Sequence, residues 1–253
     1  LHGENGPVDG GFGHPAIHIK NRKKEATLDS IFIDVGASSK EDVEKMGIQI
    51  GTVITFKDNF MKLGENYYTG RALDNRIGGV MIAEVARKLK EKGKKLPFKL
   101  YVVNSVQEEI GLRGAQMIAD TLKPNVAIIT DVCHETSSPC YTPSKQGEHI
   151  AGNGGVVTRA PAVHNILRKL ILDTGDEKKI PYQLAASSRA TGTDTDALAF
   201  SNGGVPSALI SLPLKYMHTT CETVHKDDVK NVIKLIYQTL LNIEENHNFK
   251  YNV

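Results

Sequence analysis

The sequence predicts an α/β protein: a three-layer sandwich around a central, mostly parallel or mixed sheet, with a small β-rich module attached. Three observations carry this. After Tyr68, amphipathic helical stretches alternate with short β-branched runs, as in helices laid on a sheet. Before it, glycines and short β runs surround one short helix. Finally, acids and a histidine recur where apolar runs end, the rim at which such sheets gather their sites. The expected division is a module over residues 1–66 and an α/β domain over 67–253.

In the first region, strands are expected at Ala16–Ile19, Ser30–Gly36 and Gly51–Phe56. The helix "SKEDVEKMG" has Ser39 as N-cap, Glu41 and Asp42 in its first turn, and Gly47 where it ends. In the second region, "NRIGGVMIAEVARKLKEKG" places Ile77, Val80, Met81, Val85 and Leu89 at helical spacing. "FKLYVVNSV" (Phe98–Val106) reads as a buried strand, followed by a helix at Arg113–Leu122 and a strand at Val126–Val132. Further along come a helix at His164–Thr174, a strand at Tyr182–Ala186 and a short helix at Asp196–Phe200. The strand Ser207–Leu212 and a long helix Asp227–Asn246 complete the domain.

A net charge of +2 over 253 residues gives no electrostatic footprint for nucleic acid or a membrane surface. No apolar run approaches the ~18 residues of a spanning helix. Cys133, Cys140 and Cys221 lack CxxC spacing, which favours a reduced, cytoplasmic setting.

The chemistry concentrates in a few stretches. "VQEEIGLRGA" puts Glu108 and Glu109 side by side where the Phe98 run ends, and two buried carboxylates repel unless something positive joins them. Asp131 closes "IITDV", His218 follows the last strand, and Asp74 precedes the first helix of the α/β region. Mixed carboxylates and imidazole suit Zn²⁺, Mn²⁺ or Co²⁺ better than Ca²⁺ or Mg²⁺. Each residue alone has a plainer reading: Asp74 as an N-cap, Asp131 as a turn residue, His218 as a surface or core histidine. Five such accidents at one rim are harder to accept. In "TGTDTDAL", Asp194 and Asp196 open a helix as caps. Cys133, His134 and Cys140 match no zinc-finger spacing, and "GNGG" lacks the lysine of a phosphate loop, so it reads as a turn. Neither a Gly-x-Ser-x-Gly elbow nor a His-Glu-x-x-His helix occurs.

Taken in order, "GRALDNRIGG", "VQEEIGLRGA", "IITDV", "GTDTDAL" and "ISLPLKYMHTTCETV" resemble the glutamyl and deblocking aminopeptidases, a family that includes the tetrahedral (TET) peptidases. Some of its members carry endoglucanase names. The resemblance spans essentially the whole chain and implies a dinuclear metallo-aminopeptidase that removes N-terminal residues from peptides. It makes Asp74 the carboxylate bridging two divalent ions, zinc foremost with cobalt or manganese possible, and makes the Asp74–Asn75 peptide bond cis. Glu109 and His218 would complete the first metal site and Asp131 would serve the second. Glu108 would be the general base, and Asp194 would contact substrate. The first sixty or so residues resemble a PDZ-like inserted module that helps assemble dimers into a dodecamer, so a homo-oligomer is implied.

One element of the family pattern is missing. Relatives supply a further ligand to the second metal from a His-x-Asp motif upstream of the module. His2, His14 and His18 do not replace it convincingly, so the second site is expected to be incomplete in this chain, with another ~60–100 residues expected upstream. Two alternatives stay open: a metal-deficient homologue acting as an assembly or binding protein, and a related amidohydrolase. Arg76, Arg113 and Lys215 could favour acidic N-terminal residues or simply be solvated.

Overall fold

The structure, a computed structural model, describes residues 1–13, 27, 30–139 and 141–249. The chain divides into two units, Leu1–Lys57 and Asp58–Val253. The division falls earlier than the sequence suggests, because residues 61–63 already pair with 67–69 in the sheet of the second unit.

In the first unit, β1 (His2–Gly3) pairs antiparallel with β2 (Gly6–Pro7), and β3 (Gly11–Gly13) with β4 (Phe32–Asp34). Helix α1 (Lys40–Lys45) starts as its sequence demands: the Ser39 hydroxyl accepts from the Asp42 N–H at 3.1 Å. The expected strand Ser30–Gly36 is present as β4, whereas Gly51–Phe56 forms none. Among the described residues that run lacks a ladder partner; the Val53 carbonyl accepts from His2 N–H at 2.9 Å. The expected strand Ala16–Ile19 lies outside the described residues.

The second unit runs β5 (Met61–Leu63), β6 (Tyr67–Gly70), α2 (Leu73–Glu91), α3 (Arg113–Leu122), β7 (Ala127–His134), α4 (Pro143–Gln146), β8 (Gly155–Arg159), α5 (Asn165–Glu177), β9 (Tyr182–Ala186), α6 (Asp194–Ala199), β10 (Ser207–Lys215), β11 (Glu222–His225) and α7 (Lys226–Asn242). Its seven-stranded sheet has the order β5-β6-β11-β10-β8-β9, with β7 also on β10. Only β7–β10 and β8–β9 are parallel; the other four pairings are antiparallel. The sheet is therefore mixed rather than mostly parallel. Short connections at 64–66 and 216–221 turn the chain back on itself, and only antiparallel neighbours permit that.

β10 is the axis of the fold, and its alternation sorts the two faces. Ala208, Ile210, Leu212 and Leu214 pack with Met81 and Val85 of α2, Leu167 and Ile171 of α5, and Val232 and Ile236 of α7. Leu209 points the other way, toward Ile129, Val163 and Leu198 of α6. Helices thus cover both faces, and the core is the layer between β10 and α2, α5 and α7.

Two expectations fail here for stated reasons. Val80 is 58% exposed, because the buried stripe of α2 runs Ile77, Met81, Val85, Leu89 in steps of four and Val80 sits on its flank. The run Phe98–Val106 is not a strand: among the described residues no chain pairs with it, and Tyr101, Val102 and Val106 stay about half exposed or more. β-branched composition creates a strand only where a ladder partner exists. The turn expected at Gly152–Gly155 is present. The fully buried Asp228 carboxylate holds it, accepting from the Gly152 and Gly154 N–H groups at 2.7 Å each. Among the described residues no helix is long and apolar enough to cross a membrane.

The centrality of β10 can be checked directly. Leu212→Ala removes a fully buried side chain from the main core and should cost about 2–5 kcal/mol in denaturant unfolding.

Candidate metal centre

Three irregular backbone segments of the second unit deliver the polar side chains. At the start of α2, Ala72 has φ +51 and offers no side-chain cap, and Asp74 and Asn75 depart from helical geometry with the peptide bond between them cis. Asn75 fastens this segment: its Nδ2 donates to the Thr130 carbonyl of β7 at 2.9 Å, and its Oδ1 accepts from Gly78 N–H at 2.9 Å.

The second segment is the Glu pair. Gln107 has φ +60, and the Glu108 carbonyl accepts from both Gly111 and Leu112 N–H at 3.0 Å. The next turn closes on itself through Gly114 N–H to the Val106 carbonyl at 3.0 Å. Only glycine allows this approach, since a Cβ on Gly114 would lie 2.2 Å from that carbonyl oxygen. In a regular strand adjacent side chains face opposite ways, but this turn lets Glu108 and Glu109 reach one space. The third segment follows β10, where His218 has φ +62. Left-handed backbone at Ala72, Gln107 and His218 is the kind of local strain that clusters at functional sites.

The side chains converge. His218 Nε2 lies 3.2 Å from Asp74 Oδ2 and 3.4 Å from Glu109 Oε2, and one ligand atom from each of the three falls within 4.8 Å of the others. A cavity of about 2130 Å³ is lined by Asp74, Glu108, Glu109, Asp131 and Asp194. Asp131 does not join the triple; it is buried on β7 opposite Ser211, and its Oδ1 accepts from Val132 N–H at 2.8 Å. Asp194 is not the cap of α6. That role belongs to Thr193, whose hydroxyl accepts from Thr195 N–H at 3.2 Å. Asp194 instead pairs one oxygen with the Ser105 hydroxyl, while the other, buried, has no partner among the described residues. Asp196 accepts from the Thr191 and Gly192 N–H groups and is a local turn residue.

Too many acids share this space for all to stay charged. Burial, then Glu109 and Glu222, raise Asp74 to about 6 despite the opposing His218. Burial, then Glu109, Asp194 and Asp74, raise Glu108 to about 7. Burial raises Asp131 to about 7, helped by Glu108, Asp74 and Asp194 against the Val132 N–H. A carboxylate–imidazole donor set with surplus negative charge fits a divalent transition ion.

The other candidates are absorbed locally. His134 Nδ1 lies 3.1 Å from the Tyr141 hydroxyl, burial pushes the Cys133 thiol up, and Cys140 lies outside the described residues. Arg76 reaches Asp58 at 3.3 Å and the Arg71 carbonyl at 2.7 Å, while Lys215 sits 5.0 Å over the Tyr67 ring. In the first unit His2 contacts the Thr55 hydroxyl at 3.0 Å; His14 and His18 are outside the described residues.

One participant escapes sequence reading. Glu222, 2% exposed, accepts from Asp74 N–H at 3.0 Å and from His218 N–H at 2.8 Å. Its position four residues after His218 and before "TV" was the available signal, but a glutamate opening a strand usually reads as solvated.

Comparison with known proteins identifies the family. Residues 1–235 match the M42 glutamyl aminopeptidase family. The chain belongs to that family. It is 36% identical over 238 residues to a lysyl aminopeptidase of Pyrococcus furiosus, covering 92% of this chain and 66% of the relative. The solved TET aminopeptidase from Thaumarchaeota archaeon SCGC AB-539-E09 matches with a TM-score of 0.88 at 28% identity, over 96% of this chain and 69% of that one. A structure named PhTET1-12s, described as a dodecamer, matches with a TM-score of 0.78 at 27% identity, over 96% and 70% of the two chains. This chain thus spans just under two thirds of the length of the curated relatives it matches, 66% and 64% of the first two.

Two outcomes follow from the geometry. Because Asp74, Glu108 and Asp131 carry raised values of about 6 to 7 when folded, the folded chain binds more protons than the unfolded one. Metal-free protein should therefore lose stability as pH rises from about 4 through about 7, and Zn²⁺ should reverse this by displacing the protons. Thermal midpoints of chelator-treated protein at pH 5 and pH 8, with and without Zn²⁺, check both signs. Gly114→Ala should destabilise by about 1–3 kcal/mol and weaken metal binding by displacing the Glu108–Glu109 turn, read by unfolding and by Co²⁺ titration.

Proposed function

We propose that this chain carries the catalytic centre of a metal-dependent aminopeptidase that hydrolyses N-terminal residues from peptides. The observation that supports it most is the convergence of Asp74, Glu109 and His218 within 4.8 Å beside the free carboxylate of Glu108. In this reading Asp74, Glu109 and His218 hold one divalent ion, and Asp74 with Asp131 contributes to a second. Zinc is the first choice, with cobalt or manganese also compatible. Among the described residues no imidazole joins Asp131 in a metal-ligating group.

Bound divalent ions would supply Lewis acidity to the scissile carbonyl and acidify the attacking water. The chain's own residues do the rest. Glu108 accepts the proton of that water and returns it to the leaving amine, the work of a carboxylate that lines the cavity beside the ligands without being one of them. Asp194, which lines the same cavity, would contact the substrate. Asn75 holds the Asp74 segment against β7, so the ligand does not shift when the proton moves.

A homo-oligomer is proposed by likeness to the dodecameric relative, and a reducing compartment by the free thiols of Cys133 and Cys221.

The test uses the protein at its natural length with aminoacyl-p-nitroanilides, with and without Zn²⁺, Mn²⁺ or Co²⁺. Metal-dependent release of p-nitroaniline is expected; its absence, or turnover only of N-acylated amino acids, rejects the aminopeptidase reading. Glu108→Gln should keep its metal and lose about 10²–10⁴ in kcat, read by metal analysis beside steady-state kinetics.

A further inference from the structure

Glu222 is a buried acid whose two oxygens are spent on main-chain amides rather than on a lysine or arginine. Its Oε2 accepts from Asp74 N–H at 3.0 Å, and its Oε1 accepts from His218 N–H at 2.8 Å. Among the described residues neither amide has a main-chain acceptor outside regular elements. Asp74 lies in the irregular first turn of α2, with ψ +110 and no side-chain cap before it, and His218 sits in a left-handed turn at φ +62. A buried N–H left unpaired costs about 1–3 kcal/mol, so a conformation that presents two such groups needs a local acceptor. Here a single acceptor serves both.

The position of Glu222 is itself fixed. It opens β11, whose Cα register sets Glu222 opposite Gly70 of β6 and Thr223 opposite Thr69. Asp74 is thereby referred to the sheet through Glu222, and His218, four residues upstream of Glu222, is referred to the same carboxylate.

We infer that Glu222 is the positioning residue of the metal centre: one buried carboxylate that clamps the backbones of two ligands, Asp74 and His218, in the geometry that brings their side chains together. The inference rests on the functional reading above, because it concerns the ion that those ligands would hold. Glu222 does not touch that ion. It acts in two ways at once, by fixing backbone orientation and by placing a negative charge behind Asp74, where it favours a dication in front.

The two actions separate by substitution. Glu222→Gln keeps the length and one carbonyl oxygen but removes the charge and turns an NH₂ group against a backbone N–H. Glu222→Asp keeps the charge but is one methylene too short to span both amides. The experiment titrates Co²⁺ alone into the metal-free, full-length wild type and both variants, following the visible d–d absorption band, with near-ultraviolet circular dichroism to confirm folding.

Both variants are expected to bind Co²⁺ about 10–100-fold more weakly than wild type, with an altered band shape, while retaining a folded spectrum. Wild-type affinity and wild-type band shape in both variants would overturn the inference. Loss of folding in both variants would also overturn it, since Glu222 would then be a folding residue rather than a positioning one. A wild type that binds no Co²⁺ rejects the metal reading itself, which is a distinct result from unchanged binding in the variants.

Discussion

The constraint on which this structure depends is the mutual repulsion of carboxylates collected at one end of a mixed sheet. Asp74, Glu108, Glu109, Asp131 and Asp194 line a single cavity, and Glu222 stands directly behind the first of them. Left to themselves, three of these acids hold their protons to about pH 6 or 7. A fold selected for stability alone would not keep such a group, because apolar residues of similar volume would serve better. A positive ion converts the same arrangement from a liability into a tight site, and His218 supplies the neutral nitrogen that biases it toward a transition metal.

The rest of the molecule can be understood as the means of holding those acids together. β10 and β7 run parallel for eight residues and set Asp131 opposite Ser211. The layer of α2, α5 and α7 against β10 fixes the axis of α2, so the first turn of that helix can be irregular without the helix moving. Irregularity is then confined to three short segments with left-handed backbone, at Ala72, Gln107 and His218. Asn75, Gly114 and Glu222 satisfy or permit the main-chain contacts those segments create.

Much of this was legible from the residues, and the parts that were not share a cause. The strands and helices expected after Arg113 appear close to where periodicity puts them, because each carries a local apolar pattern that tertiary packing then uses, whereas α4 and β8 were not read from the sequence. The α1 cap at Ser39 is purely local and is found as read. Phe98–Val106 has as strong a β pattern as any segment, yet among the described residues it forms no ladder, since pairing is a property of two strands and not of one. The antiparallel edge of β5, β6 and β11 was missed for the converse reason: these strands are three or four residues long, too short to show a period. Asp74, Glu108, Glu109, Asp131 and His218 could be named together from their places at the ends of apolar runs. The work of Asp194 and Glu222 could not, because a cap preference and a solvated strand start describe them equally well until their partners are seen.

The central claim is that Asp74, Glu109 and His218 together hold a divalent ion. Anomalous diffraction at the zinc edge, from crystals of the protein soaked in Zn²⁺, tests it most directly. The account predicts a peak bounded by an Asp74 carboxylate oxygen, a Glu109 carboxylate oxygen and His218 Nε2, at the roughly 2.0–2.2 Å distances of zinc ligation. Zinc bound elsewhere on the chain, with that position empty, would contradict it.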